Sequence, residues 1–275
     1  MKVLVIPNLS REYAPVMTSD VGKILKRLKI NAMLPSNVDF HSNDYDIIDE
    51  KKAFSICDVV IVIGGDGTII HAAKKAANYD KPLLGINAGR VGYLAGIEAD
   101  NLDALNTLIT GKYITQKRMM LKVTLEDSCE ELFCLNDAVV SNGSLSRLID
   151  VSARFEDDII NYRADGLIAA TPTGSTAYSM SAGGPVVDPS LDSIILTPIC
   201  PHSLYFRSLI INPNTKIKIT NLNRDDTDVF LTVDGEYSKR IEANKSIEIS
   251  KSDQSIKLIK IGDNSIYKTL SEKIK

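Results

Sequence analysis

The chain of 275 residues is 44% hydrophobic and 24% charged, a balance that predicts about two globular domains of roughly 100–200 residues, each with its own core. Its formal charge is −3 with no run of five like charges, which excludes a protein held to nucleic acid mainly by phosphate contacts and leaves a small anionic ligand open. No segment approaches the ~20 apolar residues of a spanning helix, and "MKVLVIPN" is too short an apolar run for a signal peptide; the protein is expected in the cytoplasm, with neither membrane nor nucleic acid as partner.

In chain order, "KVLVI" (2–6), "VVIVI" (59–63) and "PLLGI" (82–86) are short continuous apolar runs, the pattern of strands covered on both faces in a parallel sheet. Val16, Val21, Ile24, Leu25 and Leu28 recur at helical spacing, with Lys23, Lys26, Arg27 and Lys29 outside the stripe. Residues 68–78 read as another helix. Alternating strands and helices predict a Rossmann-like, three-layer α/β domain with a parallel sheet over residues 1–110. Residues 35–50, "PSNVDFHSNDYDIIDE", have no period and many turn formers, and are expected to form a mobile loop.

From about residue 111 short segments such as "RMMLKVTL", "LIDVSARF", "DGLIAATP", "SIILTPI" and "DVFLTVDGE" follow one another with turn formers between them. They predict a mostly β, sandwich-like domain over residues 111–255. "NG" (142–143), "NRDDTD" (223–228) and "DG" (234–235) are expected hairpin turns. Residues 256–275 return to a strand and a short helix, expected to pack back on the first domain. Cys57, Cys129, Cys134 and Cys200 form no CxxC pair and lack companion histidines, so they read as reduced core thiols.

The run 59–63 ends in Gly64, Gly65, Asp66, Gly67 and Thr68. Glycine lets a ligand come against bare backbone, and the first amides of a following helix attract phosphate. Asp66 could merely cap that helix, but a cap does not need three glycines around it. The loop is neither Walker A nor G-x-G-x-x-G. A carboxylate beside a phosphate cradle suits accepting the proton of an attacking hydroxyl, or holding magnesium against a transferring phosphate.

"GGDGT" resembles the signature shared by NAD kinases and the diacylglycerol and sphingosine lipid kinases. "GINAGRVGYLA" (85–95), with Asn87 and Tyr93, resembles the N-x-G-x-x-G-[FY]-L segment of NAD kinases, and the G-T-x-N-D element of the lipid kinases is not found. "YRADGLIAATPTGSTAYSMSAGGPVVDP" (162–189) is similar to the family's D-G-…-T-P-[ST]-G-[ST]-T-A-Y-…-S-A-G-G-P segment. Read by itself, it offers hydroxyls from Thr171, Thr173, Ser175, Thr176, Ser179 and Ser181, turns at Gly174, Gly183 and Gly184, and a ring at Tyr178. "LNDAVVS" (135–141), "PICPHSLYFRSLII" (198–211, with Ser208 where proline is usual) and "VDGE" (233–236) match further family elements. His202, read alone, is an ordinary buried histidine.

The resemblance implies transfer of the γ-phosphoryl of ATP to the 2′-hydroxyl of the adenosine ribose of NAD, with Asp66 as the catalytic residue. It implies NAD contacts from Asp66, Gly67, Tyr93, Asn136, Asp137, Arg163, Asp165, Thr173, Thr176, Ala177, Tyr178 and Ser181. ATP phosphates would meet Gly64, Gly65, Gly67 and Thr68, and Mg²⁺ would come with those phosphates rather than on assigned protein ligands. The acceptor is expected between the two domains, and a homodimer or homotetramer joined through the β domain is implied. The alternatives are a lipid kinase of the same superfamily and a non-catalytic NAD-binding sensor; the missing G-T-x-N-D element speaks against the first, and the presence of Asp66 against the second.

Overall fold

In the computed structural model the described residues are 1–89, 92–128, 130–143, 147–224, 227–262 and 266–273. Arg90 and Val91 of the "GINAGRVGYLA" stretch, Cys129, and Asp225 and Asp226 of the expected 223–228 turn lie outside them. The chain divides into two compact units, one of Met1–Lys117 with Ser255–Lys275 and one of Arg118–Gln254.

The first unit opens with β1 (Lys2–Pro7), α1 (Ala14–Arg27), β2 (Asn31–Pro35), β3 (Asp46–Ile48), α2 (Glu50–Ile56), β4 (Val59–Gly64), α3 (Asp66–Asn78) and β5 (Leu83–Asn87). A short 3₁₀ turn (Leu102–Asn106) and α4 (Thr107–Thr110) follow. The five strands are parallel in the order β5-β4-β1-β2-β3, so the strand order reverses between β1 and β4. On one face α1 seats Met17, Val21 and Leu25 against Val5, Leu34, Ile61 and Leu84. The alternate residues Leu4, Met33, Val60 and Val62 are buried too, with α2 and α3 packed on these strands and the rings of Phe54 and Tyr79 stacked 5.5 Å apart. Burial on both faces accounts for the continuous apolar runs.

Two expectations need correction here. The α1 stripe runs through Ala14, Met17, Val21 and Leu25, while Val16 is exposed. Residues 35–50 are not simply a loop: β3 pairs with β2, and Tyr45 is buried with its hydroxyl donating to the Thr18 carbonyl at 2.6 Å. Gly22 leaves the space that the Tyr45 ring fills.

In the second unit the strands are the larger part of β6 (Ile114–Leu125), then β7 (Glu131–Cys134), β8 (Asp137–Asn142), β9 (Ile149–Phe155), β10 (Asp158–Ala164) and β11 (Gly166–Ala170). After a 3₁₀ turn (Gly174–Thr176) and the one-turn α5 (Tyr178–Ser181) come β12 (Ile194–Ile199), β13 (Leu209–Ile211), β14 (Ile217–Asn221), β15 (Val229–Val233) and β16 (Tyr237–Arg240). The long β17 (Ser246–Lys260) begins in this unit and ends in the first, where Leu258 pairs with Leu83, before α6 (Ile266–Lys273).

One antiparallel sheet runs β10-β9-β14-β17, with β6 and β7 continuing from β17; the other runs β13-β12-β11-β8-β15-β16. Val151, Ala153, Ile219 and Ile249 of the first meet Val140, Leu167, Leu196 and Leu231 of the second in a shared sandwich core. The other face of the second sheet buries Val139, Ile168 and Ile195 with Val187, so β11 and β12 are buried throughout.

Asp234 and Gly235, at φ 49° and 68°, turn β15 into β16 as the hairpin expectation requires. The other two turns join no hairpin. β8 pairs with β11 and β15 rather than β9, and β14 pairs with β9 and β17 rather than β15. Cys57 and Cys134 are buried, but Cys200 is exposed at φ 44° and is no core thiol.

Candidate active site

In an open parallel sheet, ligands bind outside the carboxyl ends of strands where the strand order reverses. In the first unit that place lies beyond Pro7 and Gly64. Asn8, just after β1, donates from Nδ2 to Thr68 Oγ1 at 3.0 Å, joining the end of β1 to the glycine–aspartate turn. None of Gly64, Gly65 and Gly67 has a positive φ, so their use is space rather than a left-handed backbone. A Cβ on Gly64 would lie 2.8 Å from the Thr68 Cβ, whereas one on Gly67 would meet nothing within 4 Å. The protein itself therefore does not require glycine at position 67, and bare backbone is presented there.

Asp66 is the first residue of α3, where the helix dipole favours a negative charge. Its carboxylate accepts the Tyr93 amide on Oδ2 at 2.9 Å and the Leu94 amide on Oδ1 at 3.2 Å. A side chain on Gly92 would collide with that carboxylate, its Cβ falling 2.8 Å from Cγ. Thus "GGDGT" and the end of "GINAGRVGYLA" meet at one carboxylate. Burial and the Asp66 charge both raise the Tyr93 phenol's pKa. Asn87 is spent within the protein: it donates to Glu98 at 2.7 Å and accepts from the Gly89 amide at 3.1 Å.

In the second unit the start of β8 is gripped from the β15–β16 hairpin. The Asp234 carboxylate accepts the amides of Leu135, Asn136 and Asp137 at 3.0, 2.8 and 3.2 Å. The Asp137 carboxyl is buried and pushed up to about 7, first by desolvation and then by the charge of Asp234. Such a displaced carboxyl is characteristic of ligand and catalytic sites. Gly174 lies so close to the Asn136 backbone that a Cβ would fall 2.7 Å from its Cα, so the "TPTG" turn is seated on Asn136.

The hydroxyl-rich stretch divides in two. Thr171, Ser175 and Ser179 are buried and bonded inside the unit, Thr171 to the Leu135 carbonyl, Ser175 to the Pro172 carbonyl and Ser179 with Thr197. Thr173 is buried as well and its carbonyl accepts the Thr176 hydroxyl at 3.4 Å. Thr176 and Ala177 are half-buried, and Tyr178 and Ser181 are exposed. Gly183 takes φ 86°, and Gly184 approaches the Ser179 carbonyl, where a Cβ would stand at 2.8 Å.

Arg163 is exposed on β10 and its carbonyl accepts the His202 amide at 2.8 Å; Asp165 follows at the β10–β11 corner, its amide bonded to the Ile199 carbonyl. His202 is exposed, not the buried histidine expected. Asn8, Gly92 and Asp234, which hold Thr68, make room for Asp66 and anchor the start of β8, were not among the residues singled out from the sequence. Two of them carried a signal, Gly92 as the last glycine of the N-x-G-x-x-G-[FY]-L match and Asp234 as an Asp-Gly turn in the "VDGE" match.

The family model described as the ATP-NAD kinase N-terminal domain matches residues 9–113, and that described as the C-terminal domain matches residues 135–261. A Natranaerobius thermophilus protein named NAD kinase is 37% identical over 275 residues, spanning 98% of this chain and 96% of its own. A Clostridium botulinum NAD kinase is 45% identical over 222 residues, 79% of this chain and 78% of that protein. Among solved structures, yeast NADH kinase complexed with NADH shares the fold at a TM-score of 0.89 and 24% identity, covering 100% of this chain and 87% of that one. An NAD kinase from Archaeoglobus fulgidus in complex with ATP gives a TM-score of 0.75 at 25% identity, covering 100% and 98%. Matched in both halves and along nearly its whole length, the chain belongs to the NAD kinase family.

Proposed function

We propose that this chain transfers the γ-phosphoryl group of ATP to the 2′-hydroxyl of the adenosine ribose of NAD, yielding NADP and ADP. The observation that carries this reading is the Asp66 carboxylate, held by the Tyr93 and Leu94 amides at the strand-order reversal beside open glycine backbone. With two of its roughly four lone-pair sites engaged, the carboxylate keeps capacity to accept a hydroxyl proton. The ribose oxygen then bonds to the γ-phosphorus as the bond to the bridging oxygen breaks, and ADP leaves with that electron pair. The first amides of α3, with Gly64, Gly65, Gly67 and Thr68, suit the phosphates.

Asn136 and Asp137 are assigned to the ribose hydroxyls, a carboxylate and an amide together suiting a vicinal diol. Thr176, Ala177 and Tyr178 are assigned to a base, and Arg163, Asp165, Thr173, Ser181, Gly67 and Tyr93 to the remaining NAD contacts. Magnesium, when bound, offsets the triphosphate charge. The ion is assigned to the ATP phosphates themselves rather than to protein ligands. No described helix is long and apolar enough to cross a membrane. A cytoplasmic homodimer or homotetramer completes the proposal.

The test is NADP formation from NAD, ATP and magnesium, coupled to an NADP-specific dehydrogenase. Asp66→Asn is expected to fold and bind NAD while losing ~10²–10⁴ in turnover. An Asp66→Asn protein as active as wild type would sink the base assignment. No NADP from a folded wild type would sink the activity.

A further inference from the structure

Lys260, the last residue of β17, is a buried lysine that the proposed chemistry does not use, at 5% relative exposure. Its ammonium donates to three consecutive carbonyls, those of Tyr93, Leu94 and Ala95, at 3.5, 3.2 and 2.6 Å. The amides of Tyr93 and Leu94 in turn donate to Asp66. The peptide unit between Tyr93 and Leu94 is therefore gripped at both ends, its carbonyl by the cation and its N–H by the carboxylate. Bonds in such a chain polarise one another, and burial strengthens each.

Two glycines set the spacing. Gly92 leaves room for the Asp66 carboxylate on one side of this short segment. Gly96 leaves room on the other, where any Cβ would collide with the Ile259 carbonyl next to Lys260. The segment is thus clamped between Asp66 and the end of β17, with charge of opposite sign at either edge. A buried ammonium is costly unless fully hydrogen-bonded; here three carbonyls accept from it, and a hydrophobe in its place would deprive them of that donor.

We propose that Lys260 is a positioning residue for Asp66: its charged donors fix the Tyr93 to Ala95 segment whose amides aim the carboxylate. The inference rests on the reading of Asp66 as the group that receives the hydroxyl proton. Arg11, with a guanidinium nitrogen 4.0 Å from a Cβ built on Gly65, and the Tyr93 phenol share this neighbourhood and are unaltered by the changes below.

The experiment compares wild type, Lys260→Met, Lys260→Gln and Lys260→Arg in the NADP-forming assay, with NAD binding measured by calorimetry and folding by thermal melting. Lys260→Gln keeps N–H donors for the carbonyls without the charge, so it tests the proposal even if Lys260→Met does not fold. Removing the charge is expected to lower kcat about 10- to 100-fold with KM for NAD and NAD affinity nearly constant. Lys260→Arg is expected to restore most of the lost kcat. Wild-type kcat in Lys260→Gln would overturn the inference, as would a drop in kcat accompanied by a matching rise in KM and loss of NAD affinity, the mark of a purely structural lysine. Asp66→Asn run alongside separates the two claims. Activity surviving in Asp66→Asn overturns the base reading and this inference with it. Activity lost there, with wild-type behaviour in Lys260→Gln, overturns the inference alone.

Discussion

Asp66 is held by two backbone amides, and the room for that contact is made by the missing side chain of Gly92. A Cβ at position 92 would stand 2.8 Å from the carboxylate carbon and 3.1 Å from Oδ2, so the carboxylate must swing off its two donors. Gly92→Ala is therefore expected to lower kcat by about 10²-fold through misplacement of Asp66. The melting temperature should fall only by the few degrees that go with about 1 kcal/mol. Steady-state kinetics beside thermal melting checks this, and unimpaired turnover would show that the observed carboxylate position is not the working one. At this scale the sequence was legible where the chemistry is contiguous, as in the turn at 64–68. It was opaque where a residue acts at a distance: Asn8 reaches Thr68 across 60 positions, and Lys260 reaches Ala95 across 165. Nothing in "IPNLS" or "IKLIKI" announces those partners.

Among elements, the start of β8 depends on a hairpin about a hundred residues later. Asp234 satisfies three consecutive amides while standing in a left-handed turn at φ 49°. Asp234→Ala would strand those donors and strain the turn, at a cost of about 2–4 kcal/mol in stability together with weaker NAD binding. Asp234→Asn tolerates the turn and keeps one acceptor oxygen, so it should fall between the two. Denaturant unfolding with calorimetric NAD titration distinguishes the three proteins, and an alanine variant matching wild type in both would refute the anchoring role. The same elements explain what could be read beforehand. β1, β4 and β5 stand out because burial on both faces makes their runs continuous. β2, β3 and α2, of 5, 3 and 7 residues, are too short to show a period and owe their form to neighbours already in place. The turn at 142–143 looked like a hairpin because turn chemistry is local, whereas the choice of pairing strand is not.

For the molecule as a whole, each unit carries its own core, and a polar group assigned to function can stand where its charge costs stability. Asp137 shows this most directly. Its carboxyl is buried beside Asp234 and pushed up to about 7 from an ordinary value of 3.8. Below the ordinary value the group is protonated whether the chain is folded or not, and it favours neither state. Between the two values the folded protein holds a proton that the unfolded chain gives up. Relative to the ionised form, that protonated state is stabilising, and its contribution is lost as pH rises towards about 7. Wild-type stability should accordingly decline from pH 4 towards pH 7 by up to a few kcal/mol from this group, at ~1.4 kcal/mol per pKa unit. Asp137→Asn cannot ionise and should escape the decline, matching wild type near pH 4.5 and exceeding it by about 1–4 kcal/mol at pH 8, while binding NAD poorly. Unfolding curves of both proteins across pH decide the matter. Parallel pH profiles would mean that Asp137 is ionised in the folded protein at ordinary carboxylate values, and that the ribose diol meets a site held at no cost to the fold.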